Sequence, residues 1–294
     1  MKKNVLILGA SGFIGKKILE LFSLNFSNIS YLVHKTPIKN IDGFKIFGSL
    51  ENLSFDSLEA CNPDIVIHCA RLNGSSIIGR YKSALIGYHS NISLLNKLEQ
   101  LNKPILIIYI SGSLMYGNNH NIVLESNNLN PISFAKQYSI AEKPFINKKM
   151  TQCRVTMVRP GWVIGNGSWF KRYYLDHIKS NLEIPCYGNP DCMMSIIDVN
   201  ILAKKVLSIA CSKFYFPVYN PLGYEPITKN RFLNILQNVY NLNIVKKDIP
   251  YIIDKAIFDA FNSSILLGSD FNNAIDIKYL TEKLIYLKKE TQLC

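Results

Sequence analysis

Three glycines spaced by two residues, Gly9, Gly12 and Gly15, are the first whose types and spacing could do chemistry. A chain that turns on glycine can bring its N–H groups, those of Ser11, Phe13 and Ile14 included, against an anion. A helix starting there would point its positive end at the same place, which suits a diphosphate. His34 and Lys35 end the next apolar run without a carboxylate. An acidic side chain there would accept from a ribose 2′-OH, whereas a basic pair favours a 2′-phosphate, so NADP is expected ahead of NAD. Phe134 and Tyr138, in FAKQYSIAEK, lie four apart and would share one face of a helix. The stretch Gly165 to Tyr174 (GNGSWFKRYY) joins aromatics to two cations and could stack a base and neutralise a diphosphate; packing of its aromatics in a core is the structural alternative.

The surrounding pattern supplies elements to hold these residues. Asn4 to Leu8 is a short apolar run ending at Gly9 and reads as a buried strand, and Ile14, Ile18, Leu21 and Phe22 then follow at helical spacing. Apolar, β-rich runs recur at 29–33, 44–47, 65–68, 105–110 and 155–158, with helical stretches around 81–101 and 133–150. Strands alternating with helices imply a parallel sheet covered on both faces. The expected fold is α/β: a Rossmann-type doubly wound parallel sheet with a smaller, mostly helical substrate lobe. The expected boundaries are 1–165 for the dinucleotide-binding domain, which also receives about 195–220, and 166–294 for the lobe. Gly165, Gly167, Pro185, Gly188 and Pro190 break the period in between. The closing KYLTEKLIYLKKETQLC reads as a basic amphipathic helix docked on its own core.

A composition of 294 residues, 48% hydrophobic and 18% charged, is that of an ordinary globular protein and excludes wholesale disorder. The opening MKKNVLILGASGFIG imitates a signal peptide, but glycines interrupt its apolar run and it flows into a helical pattern, so it is read as folded structure. No run approaches the roughly 18 apolar residues of a membrane span, and a cytoplasmic protein is expected. Cysteines at 61, 69, 153, 186, 192, 211 and 294 include no C-x-x-C pair, which points to reduced core thiols and no metal site. Cys294 lacks the following residues that prenylation requires. The net charge of +12 suits an anionic ligand; nucleic acid ranks behind it, because no basic block exceeds a few residues.

In order along the chain, GASGFIG, PDIVIHCAR, ISGSLMYG, FAKQYSIAEK and VRPGWVIGNGSWF resemble the extended short-chain dehydrogenase/reductases, the superfamily of sugar-nucleotide epimerases, dehydratases and reductases. The resemblance covers most of the chain. It implies that GASGFIG is the cofactor loop, that Cys69, Ala70 and Arg71 form the adenosine contact, and that Ser49 and Leu50 stand where an aspartate commonly meets the adenine. It further implies that Ser111 belongs to the active-site strand and that Pro160 lines the nicotinamide. The family's helix carries a Tyr-x-x-x-Lys pair, whose tyrosine exchanges a proton with substrate and whose lysine favours the phenolate and binds the ribose. Anchored on Ala141-Glu142-Lys143, the alignment puts Phe134 at the tyrosine position and Tyr138 at the lysine position, so both functional groups are missing. Gly112 occupies a position where a hydroxyl residue often sits. Taking Tyr138 as the tyrosine puts Glu142 at the lysine position, so a register shift does not restore the pair. Tyr138 can still hydrogen-bond the ribose. Tyr116 is the first candidate for a replacement acid, with Ser113 polarising a carbonyl; a structural tyrosine packed under its loop is the alternative. His68 and Cys69 read as core and adenosine-wall residues.

The leading expectation is an NAD(P)-dependent reductase, epimerase or dehydratase of a nucleotide-activated sugar, with atypical acid/base groups. A non-catalytic NAD(P)-binding regulator or pseudoenzyme partner is the alternative, and an RNA-binding protein comes third. The helices near 81–101 and 133–150 resemble the pair through which the family often dimerises, so a homodimer is expected by analogy.

Overall fold

The computed structural model describes residues 2–71, 74, 76–246, 255–268 and 274–292, so Cys294 lies outside the described residues. The chain forms two compact units, one from 1–111, 136–158 and 203–219, the other from 112–135, 159–202 and 220–294.

The first unit opens with β1 (Asn4–Leu8), α1 (Phe13–Ser23), β2 (Asn28–Val33), β3 (Phe44–Phe47), α2 (Phe55–Cys61), β4 (Ile65–His68), α3 (Ile77–Gln100) and β5 (Ile105–Ile110). The helix α4 (Ala135–Asn147) and strands Cys153–Val158 and Val218–Tyr219 complete it. All seven strands pair in parallel, in the order Val218–Tyr219, Cys153–Val158, β5, β4, β1, β2, β3. The order reverses between β1 and β4, which is the doubly wound arrangement expected. Helices cover both faces, so Val5–Leu8 and all of β4 are buried, and their unbroken apolar runs follow from that burial. Leu6, Leu8, Val66, Ile107 and Val155 pack with Leu94, Leu95 and Leu98 of α3 and Phe145 of α4. Each such side chain contributes about 1.5–3 kcal/mol by leaving water.

Local chemistry sets the helix ends. Ser76 Oγ accepts from the Gly79 N–H at 3.0 Å and starts α3 four residues before its apolar period becomes clear. Ser133 takes a left-handed backbone (φ 53), and α4 begins at Ala135, so Phe134 immediately precedes the helix instead of riding on it. Helices α3 and α4 lie close together: a β-carbon on Gly87 would stand 3.1 Å from that of Ala141, and Asn91 Nδ2 donates to the Ala141 carbonyl at 2.8 Å.

The second unit combines helices with small sheets. Strands Ile227–Thr228, Met193–Met194, Ile265–Leu267 and Asn119–Val123 form one sheet; Ile196–Asp198 pairs with Trp162–Ile164, and Ile244–Lys246 with Ile184–Cys186. These strands are only two to five residues long, too short for alternation to register in the sequence. The core is aromatic, with Phe170, Tyr174 and Phe232 fully buried. Helix Lys278–Gln292 docks Leu280, Leu284 and Leu287 on this core, and Lys283 pairs with the buried Asp198 carboxylate at 3.0 Å. Among the described residues no helix is long and apolar enough to cross a membrane.

Candidate functional site

The first turn of the first unit is shaped by what it leaves out. Gly9 follows β1 with φ +78, a conformation that side chains disfavour. A β-carbon there would stand 2.5 Å from the Ala70 backbone nitrogen, and one on Gly15 would collide with the Gly9 carbonyl. The Gly12 N–H donates to that same carbonyl at 3.0 Å and closes the turn. Gly12 then caps α1 with no side-chain hydrogen bond, and no acidic residue occupies the first helical turn. The orphan N–H groups of this helix start, at its positive dipole end, therefore receive no hydrogen bond from a capping side chain, an arrangement that suits an anion. Ser11 is exposed there, and Phe13 and Ile14 are half-buried. Because β1 and β4 flank the reversal of strand order, this turn stands at the crevice where doubly wound sheets take ligands.

Around that crevice the other sequence-derived residues of the first unit fall at carboxyl ends of strands. His34 and Lys35 are exposed just beyond β2. Ser49 and Leu50 follow β3, with Leu50 packed on the core. Cys69 follows β4, its N–H donating to the Leu8 carbonyl at 2.9 Å, and burial pushes its thiol up to about 12. Ala70 abuts Gly9. Arg71 is exposed, its guanidinium 4.3 Å above the centre of the half-buried Tyr138 ring.

The structure adds a polar cluster that the sequence reading did not assemble. Ser111 Oγ donates to the buried Glu142 carboxylate at 2.5 Å. Burial, then the Glu142 charge, drive the Tyr109 hydroxyl well above its ordinary range, with Arg71 pulling the other way. His68 packs against Tyr109 and Phe145, and its Nε2 stands 2.9 Å from Asn91 Oδ1. Asn91 spends its amide on the Ala141 carbonyl, so His68 must be the donor. Burial holds the imidazole down to about 4 against the opposing pull of that bond, which makes it a neutral core residue. The signal for Glu142 was present in its spacing, four residues after Tyr138 and on the same helical face.

Ser113, Tyr116 and Pro160 lie in the second unit. Ser113 is buried at the start of a 3₁₀ turn, its N–H donating to the Pro160 carbonyl at 2.9 Å. Tyr116 is buried, its hydroxyl donating to Asn220 Oδ1 at 2.9 Å beneath the Arg159 guanidinium. Burial raises its pKa, with Arg159 and Asn220 opposing. A β-carbon on the neighbouring Gly112 would meet nothing within 4 Å. In the segment 165–174, Trp169, Phe170, Tyr173 and Tyr174 pack into the aromatic core, Lys171 pairs with Asp176 at 2.6 Å, and Arg172 rests over Tyr173. Core packing thus accounts for these aromatics. No group of three or more potential metal ligands comes together among the described residues.

Comparison with protein-family models matches residues 5–210 to the NAD dependent epimerase/dehydratase family. Among solved structures the chain is similar to MoeE5 in complex with UDP-glucuronic acid and NAD, at 18% identity and a TM-score of 0.80, covering 98% of this chain and 99% of that one. It is similar to UDP-N-acetylglucosamine 4-epimerase from Methanobrevibacter ruminantium M1 in complex with UDP-N-acetylmuramic acid, at 20% identity and a TM-score of 0.79, covering 98% of each chain. A third likeness is to dTDP-glucose 4,6-dehydratase from Bacillus anthracis str. Ames in complex with NAD, at 14% identity and a TM-score of 0.75, covering 98% of this chain and 97% of that one. At these identities the likeness speaks for the fold. Comparison with curated proteins finds no match.

Proposed function

Because the chain belongs to the NAD dependent epimerase/dehydratase family, we propose that it binds a nicotinamide dinucleotide and acts on a nucleotide-activated sugar as a reductase, epimerase or dehydratase. The observation that carries this reading is the turn from Gly9 to Gly15, whose two closest approaches leave no room for a β-carbon and whose helix start has no cap of its own. Those backbone N–H groups would hold the diphosphate. His34 and Lys35, exposed beyond β2, would meet a 2′-phosphate, so NADP is the preferred cofactor. Ser49, Leu50, Cys69 and Ala70 would form the adenosine wall, with Ser111 and Pro160 toward the nicotinamide. When bound, the nicotinamide supplies hydride transfer at a carbinol carbon. Ser113 would address a substrate oxygen. Tyr116 can serve as acid only by giving up its bond to Asn220. The substrate class is supported by the solved complexes the fold resembles, which hold UDP-sugars. The proposal includes a cytoplasmic homodimer.

A second reading, a non-catalytic dinucleotide binder, is favoured by Phe134 and Tyr138, which leave no Tyr-x-x-x-Lys pair on α4 under the alignment above. One experiment separates the two. The protein is titrated with NADPH and NADH by nicotinamide fluorescence, and a panel of UDP- and dTDP-sugars is then added while absorbance is followed. Tighter NADPH binding and turnover abolished by Ser113→Ala are expected. Binding without a response to any sugar nucleotide favours the second reading, and no binding of either cofactor, reduced or oxidised, overturns both.

A further inference from the structure

The guanidinium of Arg71 is held in a way that the adenosine contact expected of it does not explain. It lies 4.3 Å above the centre of the Tyr138 ring, a cation–π contact that fixes a long side chain without using its N–H donors. No hydrogen bond or ion pair to a described residue engages those donors, and the side chain is exposed. Arg71 is also one residue beyond Ala70, whose backbone nitrogen closes on the Gly9 turn. A fork of donors is thereby held at the carboxyl end of β4, beside the turn that suits a diphosphate.

We propose that Arg71 and Tyr138 act as one unit that presents the guanidinium to a diphosphate, with the tyrosine contributing its ring face and not its hydroxyl. Arginine recognises phosphate oxygens through two parallel N–H bonds, and a side chain already immobilised loses less freedom on binding. The unit restores a fixed cation next to α4, where position 138 itself carries none. The inference rests on the proposed dinucleotide and sugar-nucleotide binding. The cofactor and the nucleotide sugar both carry a diphosphate, and the two sources are separated by measuring each ligand.

The test measures affinities of the full chain for NADPH, NADH and UDP-glucose, with thermal midpoints confirming that each variant is folded. Arg71→Ala is expected to weaken binding by about tenfold, the scale of one charge-assisted contact. Loss confined to NADPH and NADH identifies the cofactor's diphosphate, and loss confined to UDP-glucose identifies the substrate's. Tyr138→Leu, which removes the ring, is expected to match that loss, and Tyr138→Phe to restore affinity to within about twofold of wild type. The double variant Arg71→Ala/Tyr138→Leu should be no weaker than either single one, because a pair acting as one unit is not additive. Unchanged affinities in Arg71→Ala, additive losses, or a Tyr138→Phe as weak as Tyr138→Leu overturn the inference while leaving the proposed function standing. A wild-type chain that binds none of the three ligands overturns both.

Discussion

At Gly15 a single added carbon would collide with the Gly9 carbonyl, whereas at Gly112 it would meet nothing within 4 Å, with φ near −170 in the extended region. The same chemical step therefore has opposite expected outcomes. Gly15→Ala should abolish detectable NADPH binding and lower the thermal midpoint. Gly112→Ser should change stability by less than about 0.5 kcal/mol, as an unopposed substitution does. Calorimetry and a cofactor titration on both variants check this. The glycine spacing was legible in the sequence because a tight turn needs that residue type. The stacking of Arg71 on Tyr138 was not, because 67 residues separate them in the chain and only the adjacency of β4 to α4 brings them together.

Lys229 shows how an element's start can depend on a buried charge. It opens the helix Lys229–Tyr240, is 1% exposed, and donates from Nζ to the carbonyls of Tyr187 and Asn189, at 2.9 and 2.8 Å, and to that of Phe261. One ammonium thus ties this helix to the 187–189 loop and to the end of the helix Lys255–Phe261. Burial lowers its pKa from 10.5 to about 8. Below about pH 8 both folded and unfolded chains carry the proton, and the cost of burying the charge is felt in full. Between about 8 and 10.5 the folded chain has released a proton that the unfolded chain keeps, so this group makes stability rise with pH. Across that interval the gain is roughly 3 kcal/mol, at about 1.4 kcal/mol per pKa unit. Urea unfolding of wild type and Lys229→Met at pH 7 and pH 10 should show wild type gaining on the variant at the higher pH; parallel behaviour would mean the charge is not buried as described. Nothing in the sequence around Lys229 marked it, since a lysine after Thr228 reads as an ordinary exposed helix residue.

On the scale of the whole molecule, α3 carries Ile78, Tyr81 and Leu85 in one stripe, 70%, 50% and 36% exposed. Spacings of three and four place them on one helical face, and contiguous apolar surface of this kind marks interfaces. Sedimentation is expected to show a dimer that Ile78→Glu with Leu85→Glu converts to monomer, with the thermal midpoint of the unit reporting that it is still folded. A wild-type monomer at micromolar concentration would refute the homodimer. The sequence by itself determined the alternating strands and helices, the parallel sheet and the glycine turn, because each depends on local period or on a residue type that the backbone requires. Helix starts were less legible: α3 starts at Ile77 behind a Ser76 cap, ahead of the stretch around 81 where its period is read, and the left-handed Ser133 delays α4 until Ala135, both set by backbone geometry that the period does not carry. Only the tertiary structure decided that Glu142 meets Ser111, that His68 is neutral against Asn91, that Arg71 rests on Tyr138 and that Tyr116 is engaged by Asn220. Each joins residues far apart in the chain, and their burial, partners and charge states arise only when strand ends and helices are packed together.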